Sequence, residues 1–279
     1  MITIIGLGAE RGDVTARGLA AARAADRVVV RTRTHRSAQG LTDAGIAFES
    51  FDELYERCRS YETLVKAIVR ELRRMGKTEN VCYCVDGSPA EDRAAQALMK
   101  YRSTVVIGGV SKAAAAAEKA GLGDYLALSA YDVAGAKLSL PLVVYDLAEP
   151  SLAGDVKLAL ADAFGDEAPA YFVRGGKVKK IALFEADRQR DYDATCALAV
   201  PDIPLLEKKR FDLNDFLAIL RRLRAPDGCP WDRVQTHQSI RINAIEEAYE
   251  LVDAIDADDP AKMCEEAGDV IMQAAFHTL

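Results

Sequence analysis

The sequence has little of what would declare a function outright. Its six cysteines, Cys58, Cys82, Cys84, Cys196, Cys229 and Cys264, form no C-x-x-C pair, so they read as reduced thiols rather than a disulfide framework. No window stays apolar and uncharged for the length a membrane span needs. The opening MITIIGLGAERGD holds an apolar run too short for a secretion signal, with nothing basic ahead of it. The expectation is a soluble, cytoplasmic protein. Basic charge is in deficit: 36 Lys and Arg against 43 Asp and Glu leave a net charge of −7. That is the wrong sign for a binder of nucleic acid polymers. There is no internal repeat or low-complexity tract. The dinucleotide fingerprint G-x-G-x-x-G is broken by Arg11, and the second apolar run, VVVRT, ends in Arg31 rather than an acid. Both departures speak against a NAD or FAD site.

What is present is enough chain for about two domains, with half of its 279 residues hydrophobic. In the first part, apolar runs alternate with helical segments. ITIIGLG, RVVVRT, NVCYCVDGSP and STVVIGGVS read as strands; VTARGLAAARAAD, ETLVKAIVRELRRMG and KAAAAAEKAG read as helices. This alternation predicts a parallel sheet covered on both faces. Alternation within NVCYCV puts Cys82 and Cys84 on one face, towards the core. From about Leu138 the texture changes to a second, mixed lobe with a hairpin around Gly175-Gly176. AVPDIPLLEKKR reads as a linker. Thereafter only helical spacing remains, in FDLNDFLAILRRLRA and SIRINAIEEAYELVDAID. Asp259-Pro260 then reads as the start of a helix running to the last residue. The expected domains are residues 1–200, a linker at 201–210 and a helical part at 211–279.

The helical part crowds its acids. Glu246, Glu247 and Glu250 sit on one helix and Glu266 and Asp269 on the next, at spacings that share a helix face. Carboxylates converging from two helices repel unless cations neutralise them. Oxygen donors suit a hard divalent cation such as magnesium, and that pairing suits phosphoryl chemistry. The alternative is a solvated acidic face, the usual meaning of such a charge run. GCPWD ahead of the acids, with the single tryptophan Trp231, is a rigid turn that a solvated face would not need.

GCPWDRVQTH, then EEAYE, then EAGD resembles the MazG family of nucleoside triphosphate pyrophosphohydrolases, whose pattern is E-E-x-x-E followed on the next helix by E-x-x-D. The resemblance implies an all-α, oligomeric module that hydrolyses nucleoside triphosphates to monophosphate and pyrophosphate with Mg2+, or with Mn2+ in its place. It implies Glu247, Glu250, Glu266 and Asp269 as metal ligands and Glu246 as a ligand or water-orienting base. Trp231 and Asp232 would shape the nucleotide pocket. The family module ordinarily continues with further helix and basic residues, whereas this sequence ends ten residues after Asp269. The expectation is slow turnover and self-association through the helices after about Phe211.

Three glycine turns follow apolar runs in the first part: GLG, DGSP and GGVS. At the carboxyl ends of parallel strands such turns gather around one crevice. With ADRVVVRTRTH and VVYDL they resemble, in order, the tetrapyrrole methylase family, whose α/β two-lobed fold binds S-adenosylmethionine. The resemblance implies a cofactor cleft at Gly6, Gly8, Asp86, Gly87, Ser88, Gly108, Gly109 and Ser111, with an unknown methyl acceptor. The whole resembles the YabN-type fusion of the two families. The first loop carries Ala9-Glu10 where the methylase family commonly has Pro-Gly, and the second carries Gly87-Ser88-Pro89 where it has Gly-Asp-Pro. An altered cofactor site is therefore expected. Three functions stay open: nucleotide pyrophosphohydrolysis by the tail, methyl transfer by the first domain, or a methylase fold kept as a sensor or oligomerisation platform. His35 reads equally as a loop histidine or a catalytic one.

Overall fold

In a computed structural model describing residues 1–279, the alternating runs of the first part form a parallel sheet. The order is β1 (Ile2–Gly6), α1 (Ala16–Arg23), β2 (Arg27–Val30), α2 (Gln39–Asp43), β3 (Glu49–Ser50), α3 (Asp52–Arg57), α4 (Tyr61–Met75), β4 (Val81–Val85), α5 (Arg93–Met99), β5 (Thr104–Ile107) and α6 (Lys112–Ala120). The strands lie in the order β3-β2-β4-β1-β5, all parallel.

Strand alternation decides what each face buries. Ile4, Val29, Tyr83 and Val85 pack with Leu64, Ile68 and Leu72 of α4. Ile5, Val28, Val30, Cys82 and Cys84 pack on the other side with Ala22 of α1 and Leu41 of α2. α4 shows why such helices form where they do. Ser60 and Thr63 make a reciprocal capping box at its start, and its apolar residues recur at 64, 68 and 72 to give one buried stripe. Gly121, in the left-handed region at φ 72°, ends α6.

A second five-stranded sheet follows: β6 (Leu126–Ser129), β7 (Leu142–Tyr145), β8 (Pro169–Arg174), β9 (Lys177–Ala182) and β10 (Ala197–Val200), with α7 (Pro150–Phe164) between β7 and β8. Its order is β6-β7-β10-β8-β9. Only β6 and β7 pair in parallel; β7-β10, β10-β8 and the β8-β9 hairpin are antiparallel. The sheet thus begins ahead of Leu138, where the sequence changes texture. Its middle strand is β10, whose last two residues, Ala199 and Val200, open the stretch AVPDIPLLEKKR that reads as a linker.

Contacts divide the chain into two units, Met1–Lys208 and Lys209–Leu279. The second unit comprises α8 (Leu213–Arg224), α9 (His237–Ile240), α10 (Asn243–Asp256) and α11 (Pro260–Phe276). Asp259 caps α11 by accepting from the backbone of Ala261 and Lys262, with Pro260 at the first helical position. The helix stops at Phe276 rather than at the last residue. Leu220, Ile240, Ala275 and Phe276 form the small core. Ile245, Tyr249, Val252 and Ile255, the apolar stripe of α10, stay exposed within the unit. No helix is long and apolar enough to cross a membrane.

Candidate functional site

Two places in the structure gather chemistry, one in each unit. In the helical unit α10 packs along α11, bringing carboxylates together across the pair. One oxygen each from Glu247, Glu266 and Asp269 lies within 4.8 Å of the others. Glu266 is buried and is ion-paired with the ammonium of Lys262, 3.8 Å away one helical turn back. Desolvation, then the charges of Asp269 and Glu250, raises the Glu247 carboxyl above its ordinary range. Desolvation and Glu250 likewise raise Glu266, against the pull of Lys262. Each carboxylate is thus held in a form that would rather be neutralised, by a proton or by a cation. An all-oxygen donor set of this kind fits a hard divalent ion.

In the first unit a cavity of about 580 Å³ opens at the carboxyl ends of the parallel strands, lined in part by Arg31, His35, Asp86, Asp92, Lys112 and Asp146. The fold delivers these from separate elements. Asp86 directly follows β4, Asp146 follows β7, Arg31 follows β2, Asp92 caps α5 and Lys112 opens α6. The Lys112 ammonium is ion-paired with Asp146 and stands 3.9 Å from Asp86. Asp146 takes a positive φ of 61°, a strained backbone for a non-glycine residue. Arg31 donates to Asp92 at 2.7 Å and to the Tyr55 hydroxyl at 2.7 Å. Its guanidinium lies 5.1 Å over Tyr61, whose ring stacks on Tyr131 at 4.3 Å.

Asp86 accepts from the Ser37 hydroxyl at 2.6 Å through Oδ1, while its buried Oδ2, 3.9 Å from the Lys112 ammonium, accepts no hydrogen bond. Burial pushes the Asp86 carboxyl up to about 6, against Lys112 and Ser37. Burial, with Lys112 and Arg31, pushes the His35 imidazole down to about 4. These two groups titrate in one window with opposite signs. A raised acid stabilises the fold as pH falls, from about 6 to its unfolded value near 4. A depressed imidazole destabilises it as pH falls from 6.5 towards 4. Each contributes about 1.4 kcal/mol per pH unit within its window. Wild-type stability should therefore change little on their account between pH 4 and 6. Asp86→Asn should expose the imidazole slope and lose stability on acidification through that range. Urea denaturation of both proteins at a series of pH values decides it; parallel curves would sink the account.

A model described as tetrapyrrole (corrin/porphyrin) methylases matches residues 1–200. The chain belongs to this family. A second model, the MazG nucleotide pyrophosphohydrolase domain, matches residues 235–279. The uncharacterized protein YabN of Bacillus subtilis is 32% identical over 298 residues, covering 99% of this chain. The chain spans 60% of that relative's length. The nucleoside triphosphate pyrophosphohydrolase/pyrophosphatase MazG of Thermotoga maritima is 49% identical over 64 residues, which cover 23% of this chain and 25% of that protein. Among solved structures, the cobalamin biosynthesis precorrin-6Y methylase of Archaeoglobus fulgidus aligns at a TM-score of 0.52 and 16% identity, over 73% of this chain and 99% of its own. A cobalt precorrin-4 methyltransferase aligns at 0.50 and 17% identity, over 72% and 94%. At such identities these two show the fold alone. The chain is thus a tetrapyrrole methylase-family unit joined to a MazG segment.

The sequence-derived residues of the methylase-family unit do come together, but mostly on one another. A Cβ added to Gly6 would stand 2.6 Å from the Gly109 nitrogen and 2.7 Å from the Gly87 oxygen, so only glycine permits this approach. Gly8 and Gly87 exchange backbone hydrogen bonds of 2.8 and 3.2 Å. Gly108 stands in open space. Glu91 accepts from the backbone of Ser88 at 2.9 Å, Lys112 at 2.9 Å and Ala113 at 3.0 Å, and from the Ser111 hydroxyl at 2.6 Å. It thereby takes up donors at the start of α6. Of the eight, Asp86 alone lines the cavity. In the MazG segment Glu246 and Glu250 are exposed on α10, outside the group of three oxygens. Trp231 is exposed, and Asp232 opens a short 3₁₀ turn before α9. Arg31, Asp92, Lys112 and Asp146 escaped the sequence reading. The available signal was an acid set directly after a buried strand, as at Asp86 and Asp146.

Proposed function

We propose that the helical unit hydrolyses nucleoside triphosphates to nucleoside monophosphate and pyrophosphate with Mg2+, or Mn2+ in its place. The observation that carries this is the meeting of the Glu247, Glu266 and Asp269 oxygens within 4.8 Å across α10 and α11. Glu247, Glu250, Glu266 and Asp269 would hold the metal, which when bound offsets phosphate charge and acidifies water. Glu246, exposed beside them, orients the attacking water and takes its proton. The bond joining the α and β phosphates breaks, and pyrophosphate leaves. Trp231 and Asp232 shape the nucleotide pocket. Ile245, Tyr249, Val252 and Ile255, exposed within the unit, suit packing against a second copy, so the active form is a homo-oligomer.

A second activity rests on the cavity of the first unit. The Asp86 oxygen that lacks a hydrogen bond and the Tyr61–Tyr131 stack suit a ligand with a cationic group and a planar ring, as S-adenosylmethionine has. That cofactor supplies an activated methyl group when bound; Asp86 would hold its ammonium, and the acceptor is a separate molecule. The rivals are methyl transfer as the main activity and a non-catalytic sensor or oligomerisation platform.

Incubating residues 1–279 with each nucleoside triphosphate and Mg2+ tests the hydrolase assignment. Monophosphate and pyrophosphate should appear slowly, in equal amounts, and stop with chelator. Release of orthophosphate, or no product with any base, would overturn it. Calorimetry with S-adenosylmethionine and its demethylated product tests the cavity, and no heat with either favours a structural role.

A further inference from the structure

Two histidines meet at the far end of α11. His237, the first residue of α9, and His277, directly after α11, turn the same ring atom towards each other: their Nδ1 atoms are 3.1 Å apart, and the rings lie with centroids 5.3 Å apart. Both backbones are anchored independently of this contact. Thr236 and Ser239 make a reciprocal capping box around His237. Ile240 of α9 and Phe276 of α11 enter the same small core, and the Arg224 guanidinium lies 4.5 Å over the Phe276 ring.

We propose that His237 and His277 form a binding site for a borderline divalent transition metal of the Zn2+, Ni2+ or Cu2+ class, separate from the carboxylates. With metal–nitrogen distances of about 2.0–2.1 Å, two nitrogens this far apart subtend about 100° at a shared ion, close to a tetrahedral angle. Imidazole suits these ions, whereas the all-oxygen group at Glu247, Glu266 and Asp269 suits magnesium. Asp269 and Gln273 of α11 and His277, its C-cap, recur every fourth residue, and eight residues separate the two sites by about 12 Å of rise. Two protein ligands leave open positions for water. Without metal, one Nδ1 carries a proton that the other accepts; when the ion takes that proton's place, the donating ring carries its proton on Nε2 instead, so both rings ligate as neutral imidazoles through Nδ1 and no net proton is released. Because the ligands come from α9 and α11, a bound ion ties these elements together and stabilises the folded helical unit by linkage.

The experiment is a Zn2+ titration of residues 1–279 in excess Mg2+, read by the imidazole nitrogen resonances. The Nδ1 signals of His237 and His277 should shift together and saturate at one equivalent. His237→Gln and His277→Gln should each weaken binding at least tenfold, while Glu247→Gln with Asp269→Asn should leave it within threefold. A shift of one ring only or of neither would overturn the site, as would Zn2+ affinity lost with the carboxylates and kept without the histidines.

Discussion

Glu247→Gln combined with Asp269→Asn is expected to lower magnesium affinity by roughly 10–100-fold and nucleotide turnover by about 10²–10³-fold. The two oxygens removed belong to the group that meets across α10 and α11, so the loss removes part of the ion's own cage. The same variant should melt at a higher temperature than wild type in chelator. Glu247 and Glu266 are raised by desolvation and by neighbouring carboxylates, so neutral side chains relieve repulsion when no cation is present. Lost metal affinity together with higher apo stability separates a functional effect from misfolding. Trp231, the single tryptophan, lies in the helical unit, and its fluorescence follows that unit's melting. Unchanged magnesium affinity, or a lower apo melting temperature, would contradict the assignment.

The sequence was legible where one short segment settles its own environment. Cys82 and Cys84 alternate within a buried strand, and both reach the predicted face. Gly121, the last residue of KAAAAAEKAG, ends its helix by local backbone chemistry. β10 was not legible, because four apolar residues can serve a strand or a turn equally well. It becomes a strand by pairing with β7 and β8, distant in sequence. The acid pattern of the tail pointed to two helices sharing a face, and three of its carboxylates do meet. Helical spacing alone could not say that Glu250 would stay outside that group while still acting on Glu247 and Glu266 through space. The cavity was least legible. Arg31, Asp92, Lys112 and Asp146 come from four parts of the chain, and no spacing rule joins them. The glycine turns were read as ligand contacts; the structure adds that Gly6, Gly87 and Gly109 bring their backbones close together, an approach a Cβ would block.

Lys112→Met should destabilise the first unit by about 3–5 kcal/mol at pH 7.5. The methionine keeps most of the side chain's length and apolar contact, so the loss reports charge rather than volume. The Lys112 side chain is 9% exposed, and its partners Asp86 and Asp146 are 2% and 9% exposed. Burial raises both acids already, and Lys112 is the strongest influence opposing that rise in each. Removing it leaves two buried carboxylates without their paired ammonium, under only the weaker pull of Arg31. Their pKa values must climb further, and at pH 7.5 the fold bears the cost of keeping them charged or of protonating them. At pH 5 protonation comes more readily, so the deficit should shrink. Asp86→Asn and Asp146→Asn added to Lys112→Met should recover most of it at pH 7.5, because neutral amides carry no unpaired charge. Urea denaturation followed by circular dichroism measures this, since tryptophan fluorescence reports the other unit. A loss below about 1 kcal/mol at pH 7.5, or one of equal size at pH 5, would mean the ammonium is not what holds these acids in the cavity.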